Sequence, residues 1–238
     1  MICVQCYDRL LGVKGEPEEV APFLSEQGFE LVSLPPGTEP ESGRTFRFES
    51  RGALHDLVQG EKTASRGQPV ALLLELMNAR FHALCAQRED LTFLIADTVL
   101  TPDGQAIVLA GRGINGKSRL AGALIEQGAS PYSAGLTPVD ESGLVYPYPA
   151  RSKPSEGVQA RAILMVDFVP GAVWDVEELS AGQAAAYLSS LLMEDMKQMG
   201  QALPRLAKLS TGAEFLWRGT RGEALEAGTA LFAEGVWE

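Results

Sequence analysis

The chain has 238 residues, 45% of them hydrophobic and 21% charged, with a formal net charge of −11. That balance suits one globular domain with a smaller annex, or two small domains, and the acidity disfavours a nucleic-acid partner, whose phosphates require a basic surface. No basic segment precedes an early apolar stretch and no apolar run approaches ~18 residues, so neither a signal peptide nor a membrane partner is expected and the reading is cytoplasmic.

Residues 1–66 read as a small N-terminal α/β subdomain. Residues 2–7 are strand-like, and residues 17–27 form a short helix with Pro17 at its start and Gly28 past its end. Residues 29–34 and 45–49 look like strands, separated by the Pro35-Pro36-Gly37 turn. Cys3 and Cys6 have the two-residue gap of zinc and redox sites, and the chain adds only Cys85, His55 and His82. A strand points side chains three apart to opposite faces, so free thiols and no metal are expected there. Residues 61–68 are polar and mark a boundary, leaving residues 67–238 as the main domain.

Residues 69–87 carry a helical pattern, with Leu72, Leu73, Leu76, Met77 and Leu84 on one broad face. Residues 91–100 and 105–110 flank Pro102-Asp103-Gly104 and read as a hairpin. Its second strand runs into Gly111-Arg112-Gly113-Ile114-Asn115-Gly116-Lys117-Ser118, a full match to the P-loop pattern of Gly, four residues, Gly-Lys-Ser/Thr. Glycines let successive backbone N–H groups curl around phosphate oxygens, and the helix that follows adds the positive end of its dipole. Gly111, Gly113, Asn115, Gly116, Lys117, Ser118 and Arg119 are therefore the expected nucleotide-binding residues. Lys117 would meet the terminal phosphates and the Ser118 hydroxyl the Mg²⁺, so ATP and Mg²⁺ are the expected cofactors. The plainer alternative is a glycine-rich turn before an ordinary helix, with Lys117 solvated. Leu120, Ala121, Ala123 and Leu124 stripe that helix, which Gly128 ends.

Residues 131–154 are loop-rich, with short strands expected at 137–139 and 144–146. Residues 162–169 read as a buried strand. Residues 181–201 read as one long amphipathic helix with Leu188, Leu191, Leu192, Met196 and Met199 facing inward. Ile163-Leu164-Met165-Val166-Asp167 is four apolar residues and an Asp, the pattern with which a generic P-loop NTPase places its Mg²⁺ carboxylate. Asp167 is thus a candidate metal ligand.

Around the loop the sequence resembles the HPr kinase/phosphatase family, specifically the HPr-kinase-related proteins that share a fold with phosphoenolpyruvate carboxykinase. The matching pieces run in order over roughly residues 70–232. They are Phe81-His82-Ala83, the glycine loop, Leu120-Ala121-Gly122-Ala123-Leu124-Ile125-Glu126-Gln127-Gly128 and Ser133. Val139-Asp140-Glu141-Ser142-Gly143, Tyr146-Pro147-Tyr148-Pro149, Phe168-Val169-Pro170-Gly171 and Leu179-Ser180 follow.

The resemblance implies an α/β fold with a mixed sheet around a P-loop, ATP with Mg²⁺, and γ-phosphate transfer to a Ser/Thr hydroxyl of a protein, peptide or small molecule. It also implies an Asp pair after the helix, one Asp acting as base and the other holding the metal. The matching positions here are Ala134 and Gly135, which can do neither. Relatives tend to have Ser and Gly where this chain has Gly113 and Ile114. His82 and Arg151 become catalytic candidates through the resemblance, and Asp140 is a candidate relocated carboxylate, or else a turn residue beside Ser142-Gly143. Three functions follow: a kinase rearranged around the missing Asp pair, a non-catalytic ATP-dependent regulatory or scaffold protein, and a generic NTPase using Asp167. The acceptor and the oligomeric state are left open.

Overall fold

A computed structural model describes residues 1–15, 18–113, 115–150, 153–193 and 199–236. The chain divides into two compact units, Met1–Gln87 with Pro149–Lys153, and Arg88–Tyr148 with Pro154–Glu238. Each is α/β with a mixed sheet, as expected in outline.

The first unit has a five-stranded sheet ordered β1 (Ile2–Cys6), β2 (Arg9–Lys14), β3 (Thr45–Arg51), β4 (Leu54–Gln59) and β5 (Lys62–Gln68). Only β2 and β3 pair in parallel. Tyr7 and Asp8 both have positive φ, the two-residue turn whose twist matches that of the flanking strands. Helix α1 (Val20–Glu26) buries Val20 and Leu24, and the expected start at Pro17 lies outside the described residues. Helix α2 (Val70–Cys85) buries Leu73, Leu74, Met77, Phe81 and Cys85, whereas Leu72, assigned inward from the sequence, is 59% exposed.

Three expectations for this unit change. Residues 29–34 do not form a strand; Leu31 makes one isolated bridge to Val4. The polar run at 61–68 is not a linker but edge strand β5, which has no buried residue. A strand with one free edge and little apolar cover has no need of a hydrophobic pattern. The division of the chain accordingly falls after Gln87 and not after residue 66, because α2 packs on β4 and β5. Cys3, Cys6 and Cys85 are buried and form no disulfide among the described residues, and burial pushes the Cys3 thiol up from its ordinary pKa.

The second unit carries the glycine loop. Its sheet is ordered β11 (Asp175–Glu178), β12 (Phe215–Arg221), β10 (Ala160–Phe168), β7 (Ala106–Ala110), β6 (Thr92–Leu100) and β8 (Ser130–Ser133), with β9 (Leu136–Val139) also pairing β6. β12, β10 and β7 are mutually parallel, and the flanking strands are antiparallel. Helices cover both faces. Ile163, Met165, Val108 and Ala96 pack toward Leu188 of α4 (Ala181–Ser189) and Leu206 of α5 (Met199–Gly212). Leu164, Val166, Leu109 and Val99 pack toward Leu120 of α3 (Lys117–Glu126) and Leu231 of α6 (Ala224–Ala233). Alternate residues of each strand thus belong to opposite cores.

The expected helix over 181–201 ends at Ser189. It begins with a capping box, in which Ser180 Oγ accepts from Gln183 N and Ser180 N donates to Gln183 Oε1. At its far end Ser189 and Ser190 turn their hydroxyls back onto the carbonyls of Ala186 and Tyr187, competing with a further helical turn. The chain then extends beside β6, where Leu191 O accepts from Ile95 N and Met193 N donates to Phe93 O. Leu191 and Leu192 are buried as expected, but from an extended segment. Met196 lies outside the described residues, as does the side chain of Met199. The expected strand at 144–146 is reduced to bridges from Val145 to Val139 and Val158. Among the described residues no helix is long and apolar enough to cross a membrane.

Candidate functional site

β7, β10 and β12 run in parallel, so their C-terminal ends reach one edge of the sheet, where open α/β sheets hold ligands. The antiparallel β6–β7 hairpin, with Asp97 opposite Leu109, delivers the chain into the glycine loop at that edge. α3 then starts at Lys117 with Gly116 as its N-cap. Strand, loop and helix follow in the expected order.

Two glycines of the loop adopt left-handed backbone, Gly113 at φ +59° and Gly116 at φ +77°. At Gly116 a side chain is also excluded by space, since a Cβ would lie 2.5 Å from Arg221 Nη2 and 3.3 Å from Phe168 Cβ. At Gly111 the obstacle is Asn115, whose side-chain amide folds back onto the place a Cβ would take. Asn115 Oδ1 also accepts from Lys117 Nζ at 3.5 Å. The spacing of the motif is therefore matched by close packing at both end glycines. Ile114, flagged in the sequence as a departure from relatives, lies outside the described residues. Arg112 donates to the Ser190 carbonyl at the end of α4, and Arg119 is exposed.

The carboxylate beside the loop comes from Asp97. Ser118 Oγ donates to Asp97 Oδ2 at 2.9 Å, and Gly135 N donates to Asp97 Oδ1 at 2.6 Å. Asp97 is 4% exposed, whereas Ser118, Ala134 and Gly135 beside it are exposed. Local topology explains its place. β6 pairs β9 up to Ile95 and β8 from Thr98, and the crossing between them carries Ala134 and Gly135. Gly135 has φ +76° there, and its N–H finds the Asp97 side chain. Buried hydroxyls complete the seam, with Thr137 Oγ1 2.8 Å from Thr98 Oγ1 and 2.9 Å from Ser133 Oγ.

Asp97 was not singled out from the sequence, although its signal is present. Phe93-Leu94-Ile95-Ala96-Asp97 is the same four-apolar-plus-Asp pattern as residues 163–167, and strand parity separates the two. Asp97 shares the parity of Val99, which packs with α3. Asp167 shares that of Ile163 and Met165, which pack toward α4 and α5. Asp167 is exposed and lines a surface depression with Asp175, Glu177, Arg218 and Thr220. It does not take the place beside Ser118.

The other candidates separate. Asp140 holds a turn: Oδ1 accepts from Ser142 N and Leu144 N, and Oδ2 from Tyr146 Oη at 3.0 Å. Burial and that bond to Asp140 push the Tyr146 phenol up to about 12. His82 stands on α2 in the first unit, its ring 5.5 Å from that of Phe29, and burial lowers its pKa to about 4. Arg151 lies outside the described residues. Among the described residues no group of three or more His, Cys, Asp or Glu is placed to hold a metal. No protein-family model matches the chain, and no curated protein matches it.

Proposed function

We propose that residues 111–118 are a P-loop, that the chain binds ATP with Mg²⁺, and that it belongs to the HPr-kinase-like group of phosphotransferase folds. The observation that carries this reading is the 2.9 Å bond between Ser118 Oγ and Asp97 Oδ2 at the start of α3, behind two glycines in left-handed backbone. A hydroxyl and a carboxylate are the hard oxygen donors that suit Mg²⁺, which keeps its remaining positions for water and phosphate. Ser118 and Asp97 would hold the ion, which neutralises charge on the phosphates when bound. Lys117 supplies a cation to the terminal phosphates, and the N–H groups of the α3 N-terminus face the same anion.

Phosphoryl transfer asks the protein mainly for positioning and charge stabilisation. Asp97 answers the absence of acids at Ala134 and Gly135 for metal binding. For the acceptor proton it is less well placed, since both of its oxygens already accept hydrogen bonds. The favoured function is therefore nucleotide binding with slow transfer to a hydroxyl acceptor of a protein, peptide or small molecule. A non-catalytic, ATP-dependent regulator is the second reading, favoured by the bare side chains at 134 and 135. Calorimetry with Mg-ATP tests the binding: the wild type should bind and Lys117→Ala should bind far more weakly. Equal affinity in the two proteins defeats the P-loop reading. Turnover by the bound protein, measured as ADP release, separates the first function from the second.

A further inference from the structure

Resting on the nucleotide-binding reading, we propose that Arg221 is a positioning residue for the glycine loop, fixing the Gly116 carbonyl and keeping beneath it a positive charge that a polyphosphate neutralises. Arg221 ends β12 and is 2% exposed. Nη2 donates to Gly116 O at 2.7 Å and Nη1 to Gly222 O at 2.8 Å. The guanidinium lies 5.4 Å from the centre of the Phe168 ring, and Nε has no hydrogen-bond partner among the described residues. Among the described residues no carboxylate forms an ion pair with it. Burial lowers its pKa, Glu223 opposes that effect and Arg119 adds to it.

A buried cation whose hydrogen bonds among the described residues go to two carbonyls is an expensive way to tie down a loop. Removing a partner from a buried ion pair costs several kcal/mol, whereas a well-packed apolar replacement for a buried charge is often neutral or stabilising. A residue serving packing alone gains nothing from the charge. A residue serving an anion at the next-door loop gains electrostatic attraction in a poorly screened setting, and it holds Gly116 in the conformation that turns the chain into α3. Gly116 in turn leaves Arg221 its room, because any Cβ at that position would press on Nη2.

The test titrates Mg-ADP and inorganic pyrophosphate into wild type, Arg221→Met and Arg221→Lys by calorimetry, alongside the melting temperature of each ligand-free protein. The expected result for Arg221→Met is about tenfold or greater loss of affinity for both ligands with no fall in ligand-free melting temperature. Arg221→Lys, which keeps the charge but not the forked donors, should fall between the two. Unchanged affinity in Arg221→Met overturns the proposal and leaves the P-loop reading standing. Failure of the wild type to bind either ligand overturns that reading and the proposal with it. Should Arg221→Met fail to fold, Arg221→Lys decides: weaker binding at unchanged melting temperature supports the proposal, and wild-type affinity overturns it.

Discussion

Ser118 on α3 and Asp97 on β6 are joined by a 2.9 Å hydrogen bond between their side chains, although one opens a helix and the other is buried in the strand antiparallel to β7. The pairing puts a carboxylate beside the glycine loop from a part of the chain that precedes it. Asp97→Asn should leave the fold nearly intact, because the amide oxygen can still accept from Gly135 N, and should remove most of the gain in ATP affinity that Mg²⁺ gives. The loss should be about 10–100-fold in the presence of Mg²⁺ and small in EDTA, read by calorimetry. Asp167→Ala is the control and should alter neither quantity, with a stability change within about 0.5 kcal/mol.

The loop glycines should differ in cost. Gly113→Ala meets open space and suffers only the left-handed backbone, about 1–2 kcal/mol. Gly116→Ala suffers the same and also displaces the Arg221 guanidinium, so its loss of stability in urea should exceed that of Gly113→Ala. An equal loss for the two would show that Arg221 yields without cost.

Restoring acids after α3 should be possible at one position more easily than at the other. Ala134 is exposed and has no positive φ, so Ala134→Asp should change stability by no more than about 0.5 kcal/mol. Gly135→Asp sits at φ +76° and brings a second carboxylate next to Asp97, so it should cost about 1 kcal/mol or more. If the missing base limits turnover, Ala134→Asp raises ADP release. Rapid wild-type turnover that this substitution leaves unchanged would mean that another group takes the proton.

His82 gives the first unit a pH dependence. Its folded pKa of about 4 lies below the unfolded value near 6.5, so the unfolded chain binds the extra proton first as pH falls. Its contribution is complete above pH 6.5 and is lost as pH drops toward 4, by up to roughly 3 kcal/mol at about 1.4 kcal/mol per pH unit. His82→Leu should flatten the melting temperature of this unit between pH 6.5 and 4. A slope identical to wild type would assign the acid sensitivity to carboxylates instead.

Much of the second unit is legible in the sequence. The hairpin at residues 91–110 follows from two apolar runs around Pro102-Asp103-Gly104, and the α3 stripe from Leu120, Ala123 and Leu124, all buried. Asp97 escaped because an acid inside a strand looks like a flaw in a hydrophobic pattern until the opposite faces of the sheet are known. Arg221 carries no signal in the sequence, since its contact with Gly116 depends on β12 lying parallel to β10. The break after Ser189 was hidden for a related reason. Leu191 and Leu192 continue a helical stripe, and only their backbone bonds to β6 show that they are extended. In the first unit β4 buries only the apolar pair Leu57-Val58 beside Asp56, and β5 is polar with no buried residue, so neither carries an alternating apolar pattern.

The site is assembled from widely separated stretches of chain: Asp97 on β6, the loop itself, Gly135 at the β8–β9 crossing and Arg221 at the end of β12. The Asp97, Ser118 and Gly135 contacts lie within one stretch of the chain, whereas the Arg221 contact closes a loop of about a hundred residues and carries the larger entropic cost. If the site binds a polyphosphate as proposed, occupancy would report that these strands have come together. A chain shortened before β12 would lose the Arg221 tie and a parallel neighbour of β10 together, and ligand binding would serve as an assay of topology as much as of chemistry.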